Sequence, residues 1–64
     1  MNDSKLQAAR KAAGLTQLQL ATKSGVSIRA IQRYEIGERK PSQAYASIII
    51  QIADALNVHP REII

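Results

Sequence analysis

Leu15-Thr16-Gln17-Leu18-Gln19-Leu20-Ala21 and Gly25-Val26-Ser27-Ile28-Arg29-Ala30-Ile31-Gln32-Arg33-Tyr34-Glu35, three residues apart, decide the fold. Thr16 with Gln19 three places on is a capping-box pattern: hydroxyl and amide each satisfy a backbone N–H that a helix start leaves free. The pattern predicts a helix with Leu20 and Ala21 inward, ending near Ser24-Gly25. Ser27 can cap the next helix, over residues 28 to 36, and Gly37 stops it. Two helices of about eight or nine residues, separated by little more than Gly25-Val26, cross steeply as a helix-turn-helix. Leu20, Val26, Ile31 and Tyr34 supply the apolar anchors for that packing.

Working outward, Ser4 and Gln7 repeat the capping pattern ahead of Leu6, Ala9 and Ala13 at helical spacing, and Gly14 ends the segment. Downstream, Glu38-Arg39-Lys40-Pro41-Ser42 reads as a polar loop. A longer helix begins between Ser42 and Ser47 and runs to Leu56. Ile49, Ile52, Ala53 and Leu56 follow the i, i+3, i+4, i+7 rule and form one core stripe, with Tyr45 in line before them. Asn57 is a C-terminal stop, and Pro60 suits the first position of a last short helix ending in Ile63 and Ile64. No segment alternates convincingly with period two. The expected fold is all-α: five helices in one compact domain, residues 1–64.

Sixty-four residues bury only about 60% of the surface of their unfolded chain, so such a domain folds economically or associates. The absence of Cys excludes disulfide scaffolds and thiolate metal sites. Two tyrosines without Phe or Trp are a poor basis for an aromatic ligand pocket or a base-stacking platform. The longest apolar run, Ile48-Ile49-Ile50, falls far short of the roughly 20 residues of a membrane span. Met1-Asn2-Asp3-Ser4 lacks the basic, then apolar start of a secretory signal. A soluble, cytoplasmic protein is the expectation.

Charge is divided unevenly. Residues 1 to 40 carry eight basic side chains against Asp3, Glu35 and Glu38, a balance of +5, whereas residues 41 to 64 carry −1. A basic part joined to a near-neutral apolar part suggests one surface for a polyanion and another for packing. On the third helix Ala30, Ile31 and Tyr34 take the inner face. Ile28, Arg29, Gln32 and Arg33 share the outer one, because 29 and 33, like 28 and 32, are four apart. Such a face suits base edges in a major groove: Arg pairs two-pronged with guanine, Gln with adenine, and an aliphatic side chain meets the thymine methyl. The plainer alternative is a solvated polar face.

These segments, with Gly37-Glu-Arg-Lys-Pro-Ser42 and Ile52-Ala-Asp-Ala-Leu-Asn-Val58, resemble the Cro/lambda-repressor-like (XRE-type) helix-turn-helix family over nearly the whole chain. The resemblance implies five helices, with the second and third forming the DNA-binding unit. Gln17, beside the capping Thr16, matches the position where side chain and helix N-terminus grip a backbone phosphate. Ser27, Ile28, Arg29, Gln32 and Arg33 match recognition-helix positions facing bases or nearby phosphate, and Arg39 and Lys40 match a phosphate-touching loop. Arg10 and Glu35 match an ion pair between the first and third helices. It either secures the fold, the favoured reading, or orients Arg10 toward a phosphate. Two features depart from the family pattern. Ile36 stands where Asn is usual before the Gly, and Gln43-Ala44-Tyr45 is an extra stretch that lengthens either the loop or the fourth helix.

His59 is the sole histidine, where a metal site needs three or four ligands; it reads as the residue before a proline-started helix. No Ser-His-Asp arrangement or carboxylate pair supports catalysis. The expectation is a cofactor-free, repressor-like regulator that binds double-stranded DNA by sequence. Homodimers reading half-sites about one turn apart are the usual architecture, here with Val58, Ile63 and Ile64 as the self-association segment. Ile50, about 120° from the stripe, either packs under the last helix or meets a second subunit. The alternative is a protein-interaction module, an antitoxin or adaptor with a further protein partner, whose apolar patch would draw on Ile36, Ile48 and Ile50. A membrane-surface peptide is disfavoured, because the basic and the most apolar segments lie on different helices.

Overall fold

The computed structural model describes residues 4–64, apart from the side chain of Ser42; the N-terminal residues 1–3, read above for a secretory start, lie outside the described residues. Four α-helices run in the order α1 (Lys5–Ala12), α2 (Gln17–Ser24), α3 (Ile28–Glu35) and α4 (Ala46–Leu56), with 3-10 turns at Pro41–Gln43 and Pro60–Glu62. Hydroxyls open the first three helices. Ser4 Oγ accepts from the Gln7 N–H at 2.9 Å, Thr16 Oγ1 from Gln19 at 3.0 Å and Ser27 Oγ from Ala30 at 3.2 Å. Gln19 Oε1 returns the favour to the Thr16 N–H at 2.8 Å, completing the capping box. Among the described residues there is no strand, and no helix is long and apolar enough to cross a membrane.

The corner between α2 and α3 needs Gly25. Its φ of 77° lies in the left-handed region, where a Cβ is strained. Val26, buried, then pins the turn to the core, and its N–H donates to Ser24 Oγ at 3.2 Å. Gln51 on α4 donates through Nε2 to the Ser24 carbonyl at 3.3 Å, fastening the corner from behind. Leu6, Leu20, Ile31 and Ile52, one from each helix, meet in the core with Ile63, all completely or almost completely buried. α2 packs on both α3 and α4, and α1 on α3. The stripe Ile49, Ile52, Ala53 and Leu56 faces inward along α4, and Asn57 ends the helix at φ 57°.

Several expectations are corrected. The fifth helix is a 3-10 turn: its N–H groups bond three residues back, Glu62 to His59 at 2.8 Å and Ile63 to Pro60 at 3.2 Å. Ile63 then leaves the helical region at φ −116° and inserts into the core, which draws the chain off a helical path. Tyr45 is not part of the stripe. It is the extended cap residue before α4, so the 3.6-residue period does not carry it inward, and it is 80% exposed. Ala13 caps α1 and lies in solvent. The extra stretch lengthens the loop: Gln43 closes the 3-10 turn, Ala44 is extended and α4 begins at Ala46. Ile63, being buried, is withdrawn from any self-association surface; Val58 is half-buried and Ile64 exposed.

Candidate nucleic-acid interface

α3 divides its side chains cleanly. Ile31, Tyr34 and Glu35 are buried, Ala30 and Ile28 half-buried, and Arg29, Gln32 and Arg33 exposed. With Ser27 exposed at the cap, the helix offers two guanidinium groups and an amide on one side. The sides are fixed by the core, since rotation that buried Arg29 or Arg33 would expel Ile31. At the far end Gly37 turns at φ 82°, and the Arg39 N–H returns to the Arg33 carbonyl at 3.1 Å. Arg39 and Lys40 therefore leave directly from the end of α3, both exposed.

At the start of α2, Thr16 is exposed and Gln17 half-buried. The first-turn N–H groups of Gln17 and Leu18 have no carbonyl four residues back, as at any helix start, and the dipole there favours an anion. Leu18, 63% exposed, is an apolar outward residue that helical periodicity gave no reason to notice.

Behind these elements lies a buried ionic cluster. Arg10 Nε donates to Glu35 Oε2 at 2.7 Å and its Nη2 to Glu35 Oε1 at 3.0 Å. Its Nη1 donates to the Leu15 carbonyl at 2.7 Å, holding the connection between α1 and α2. Gln17 Nε2 also donates to Glu35 Oε1, at 3.1 Å, and Gln17 Oε1 accepts from Gln32 Nε2 at 3.4 Å. Three of the sequence-derived candidates, Gln17, Gln32 and Glu35, are thus joined across the helix-turn-helix. Sequence reading assigned Gln17 a phosphate and Gln32 a base, and missed their contact, because residues fifteen apart on different helices share no period.

His59 caps the last turn: its Nδ1 accepts from the Arg61 N–H at 3.1 Å, while Glu62 Oε2 accepts from the His59 N–H at 2.9 Å. No group of three or more His, Asp or Glu side chains converges among the described residues.

The family model described as helix-turn-helix matches residues 6–63. Among solved structures, the restriction-modification controller protein C.AhdI from Aeromonas hydrophila is similar at 34% identity, with a TM-score of 0.79, over 91% of this chain and 83% of that one. Comparison with curated proteins returns no match. The capped helix pair, the Gly25 corner, the outward basic side of α3 and a family match over almost all of the chain lead to one assignment: the chain belongs to the Cro/lambda-repressor-like, XRE-type helix-turn-helix family of DNA-binding transcription regulators.

Proposed function

We propose that this chain is a repressor-like regulator, one domain over residues 1–64, that reads double-stranded DNA by sequence with α3 in the major groove. One observation carries the reading. Arg29, Gln32 and Arg33 stand exposed on one side of a helix whose other side is locked in the core by Ile31, Tyr34 and Glu35. Arg29 and Arg33 are the guanine readers, Gln32 addresses an adenine, and Ile28 meets a thymine methyl. Ser27, Arg39, Lys40 and the start of α2 at Thr16 and Gln17 hold phosphates and set the register. No cofactor enters. The likeness to a restriction-modification controller supports a regulatory task.

Selecting bound duplexes from a random pool, then titrating the selected site at several salt concentrations, tests the reading. Arg29→Ala and Arg33→Ala should each cost about 1–3 kcal/mol on the selected site and little on random duplex. Lys40→Ala should weaken all sequences alike and reduce the salt slope by about one unit. Equal losses on selected and random DNA for the arginine variants would contradict base readout.

Such a site is read by a homodimer. The exposed apolar face lies around a groove lined by Pro41, Ala44, Ala46, Ile49, Ile50, Pro60 and Ile64, with Tyr45 beside it in the chain. Ile50 and Ile64 are each 48% exposed there. No lining side chain is charged, so two copies can meet across this face without opposing charged side chains. Ile50→Asp should halve the mass measured by sedimentation, leave helicity unchanged because Ile50 is already half in water, and weaken binding to a two-half-site duplex. An antitoxin or adaptor would draw on Ile36, Ile48 and Ile50, of which Ile50 lines this groove, Ile48 is half-buried and Ile36 is exposed at the end of α3. A wild type that sediments as a monomer and enriches no duplex would favour that second reading.

A further inference from the structure

We infer that Gln17 is a positioning residue for base readout, through which the buried Arg10–Glu35 pair sets the polarity in which Gln32 faces DNA; this rests on the DNA reading above. The inference starts from the two ends of an amide. Glu35 is a carboxylate that accepts and does not donate. An atom of the Gln17 amide lies 3.1 Å from Glu35 Oε1. That atom must be nitrogen, since an amide oxygen there would set lone pairs against a negative charge. Gln17 Oε1 is therefore turned away from Glu35, where it can only accept. The group it meets is the Gln32 amide at 3.4 Å, which must present Nε2. One N–H of Gln32 is thereby directed toward α2, leaving its Oε1 and its other N–H for the groove.

The order from inside to outside is fixed at each link: Arg10 donates to Glu35, Glu35 accepts from Gln17, and Gln17 accepts from Gln32. The inner links are shorter, with both partners charged in Arg10–Glu35 and one in Gln17–Glu35, which makes them the stronger ones. The outer link is long and lies in water in the free protein. It gains strength when a duplex covers α3 and lowers the local dielectric. Gln32 is consequently ordered before it meets a base, and less rotamer freedom is lost on binding. The same polarity also turns the Gln17 carbonyl, rather than its NH2, toward the outside. A phosphate at the start of α2 is therefore held by the backbone N–H groups of the first turn, with the Gln17 N–H that is not given to Glu35 as the side chain's one remaining donor, while its oxygen would repel the anion.

The test uses the duplex selected by the wild-type chain, its single-base-pair variants and a random duplex, with affinities measured by fluorescence anisotropy. Gln17→Met keeps length and volume but removes both hydrogen bonds. Gln17→Lys keeps a donor for Glu35 but has nothing to accept from Gln32, so it separates support of the fold from positioning. Both variants should relax preference at the same base pair that Gln32→Ala relaxes, by roughly three- to tenfold, the worth of one hydrogen bond. Gln17→Lys should do so while raising affinity for random duplex through its added charge. The double variant Gln17→Met, Gln32→Ala should discriminate no worse than Gln32→Ala alone. Additive losses, or equal weakening of selected and random duplex by Gln17→Met, would each overturn the relay while leaving the DNA reading in place; a Gln32→Ala variant with unaltered preference would overturn the relay and the adenine contact of Gln32, leaving Arg29 and Arg33 as the readers. A wild type that enriches no sequence would overturn the relay and the DNA reading together.

Discussion

Glu35→Ala is expected to remove about 3–5 kcal/mol of stability, the cost of stranding one partner of a buried ion pair. A domain of this size has roughly 3–10 kcal/mol in total, at about 0.05–0.15 kcal/mol per residue, so the loss is at least about a third of the whole and, at the lower end of that range, unfolds the chain at 25 °C. The size of the effect follows from burial. Glu35 is 2% exposed and Arg10 8%, and the carboxylate accepts from Arg10 Nε, Arg10 Nη2 and Gln17 Nε2. Its removal leaves the guanidinium with the Leu15 carbonyl as its remaining protein acceptor, inside a small core and largely out of reach of water. An exposed pair would be worth 1 kcal/mol at most, on the order of the solvent-screened pairs on any surface.

The same argument gives the rescue. Replacing both partners, Arg10→Met with Glu35→Leu, removes the charge as well as its partner, and apolar pairs of similar volume often equal or exceed a buried ion pair. The Leu15 carbonyl loses its donor, but Leu15 is only half-buried and water can replace it. Urea titrations monitored by helical circular dichroism should show Glu35→Ala far below the wild type and the double variant recovering most of the difference. A Glu35→Ala chain as stable as the wild type would mean that the pair is solvated and that its place is with the ligand rather than the fold.

Much of the architecture was legible because it is local. Ser4, Thr16 with Gln19, and Ser27 act within three residues of themselves. Gly25 and Asn57 stop their helices with a left-handed backbone, and the α4 stripe is a matter of period alone. The division of α3 into basic and apolar sides follows from the same period. The errors share one cause: a period holds only where the helix has begun and not yet ended. Tyr45 sits one residue before α4, so extending the stripe to it misplaced its side chain, and Ile63 lies just past a three-residue turn, so reading it as the end of a helix left it for self-association instead of the core. The network from Arg10 through Glu35 and Gln17 to Gln32 spans three helices. The resemblance supplied its first pair, but the later links depend on how α2 and α3 cross, which no spacing encodes. His59 was read only as a neighbour of Pro60, because a ring nitrogen capping a turn two residues on imitates what Asn or Asp more commonly does.

Ile52→Ala is expected to cost 2–5 kcal/mol, towards the upper end. Three carbons leave a site that is completely buried, a transfer loss of about 2.4 kcal/mol at roughly 0.8 kcal/mol per methylene; the cavity adds the rest. How much depends on whether the neighbours can close in. Here the core is shared by Leu6, Leu20 and Ile31 on three other helices and by Ile63 beyond the last turn. Collapse toward α4 would have to move several elements at once, one of them the corner that sets the angle of α3. At about 4–8 °C per kcal/mol for a domain of 60–100 residues, the melting temperature should fall by more than about 8 °C. Ile50→Ala, on the same helix but half exposed, should cost below about 1 kcal/mol, which separates the core position from the helix itself. Because Ile52 touches stability and not the DNA-facing side, duplex should restore the variant by mass action. Selected DNA at a hundred times its dissociation constant returns about 2.7 kcal/mol, enough to refold most of the chain if the loss is near the middle of the range. A variant that melts with the wild type would place the stripe elsewhere. One that melts early and is not rescued by duplex would mean that the core residue also sets the geometry of the reading side, through the α2–α4 packing that holds the Gly25 corner.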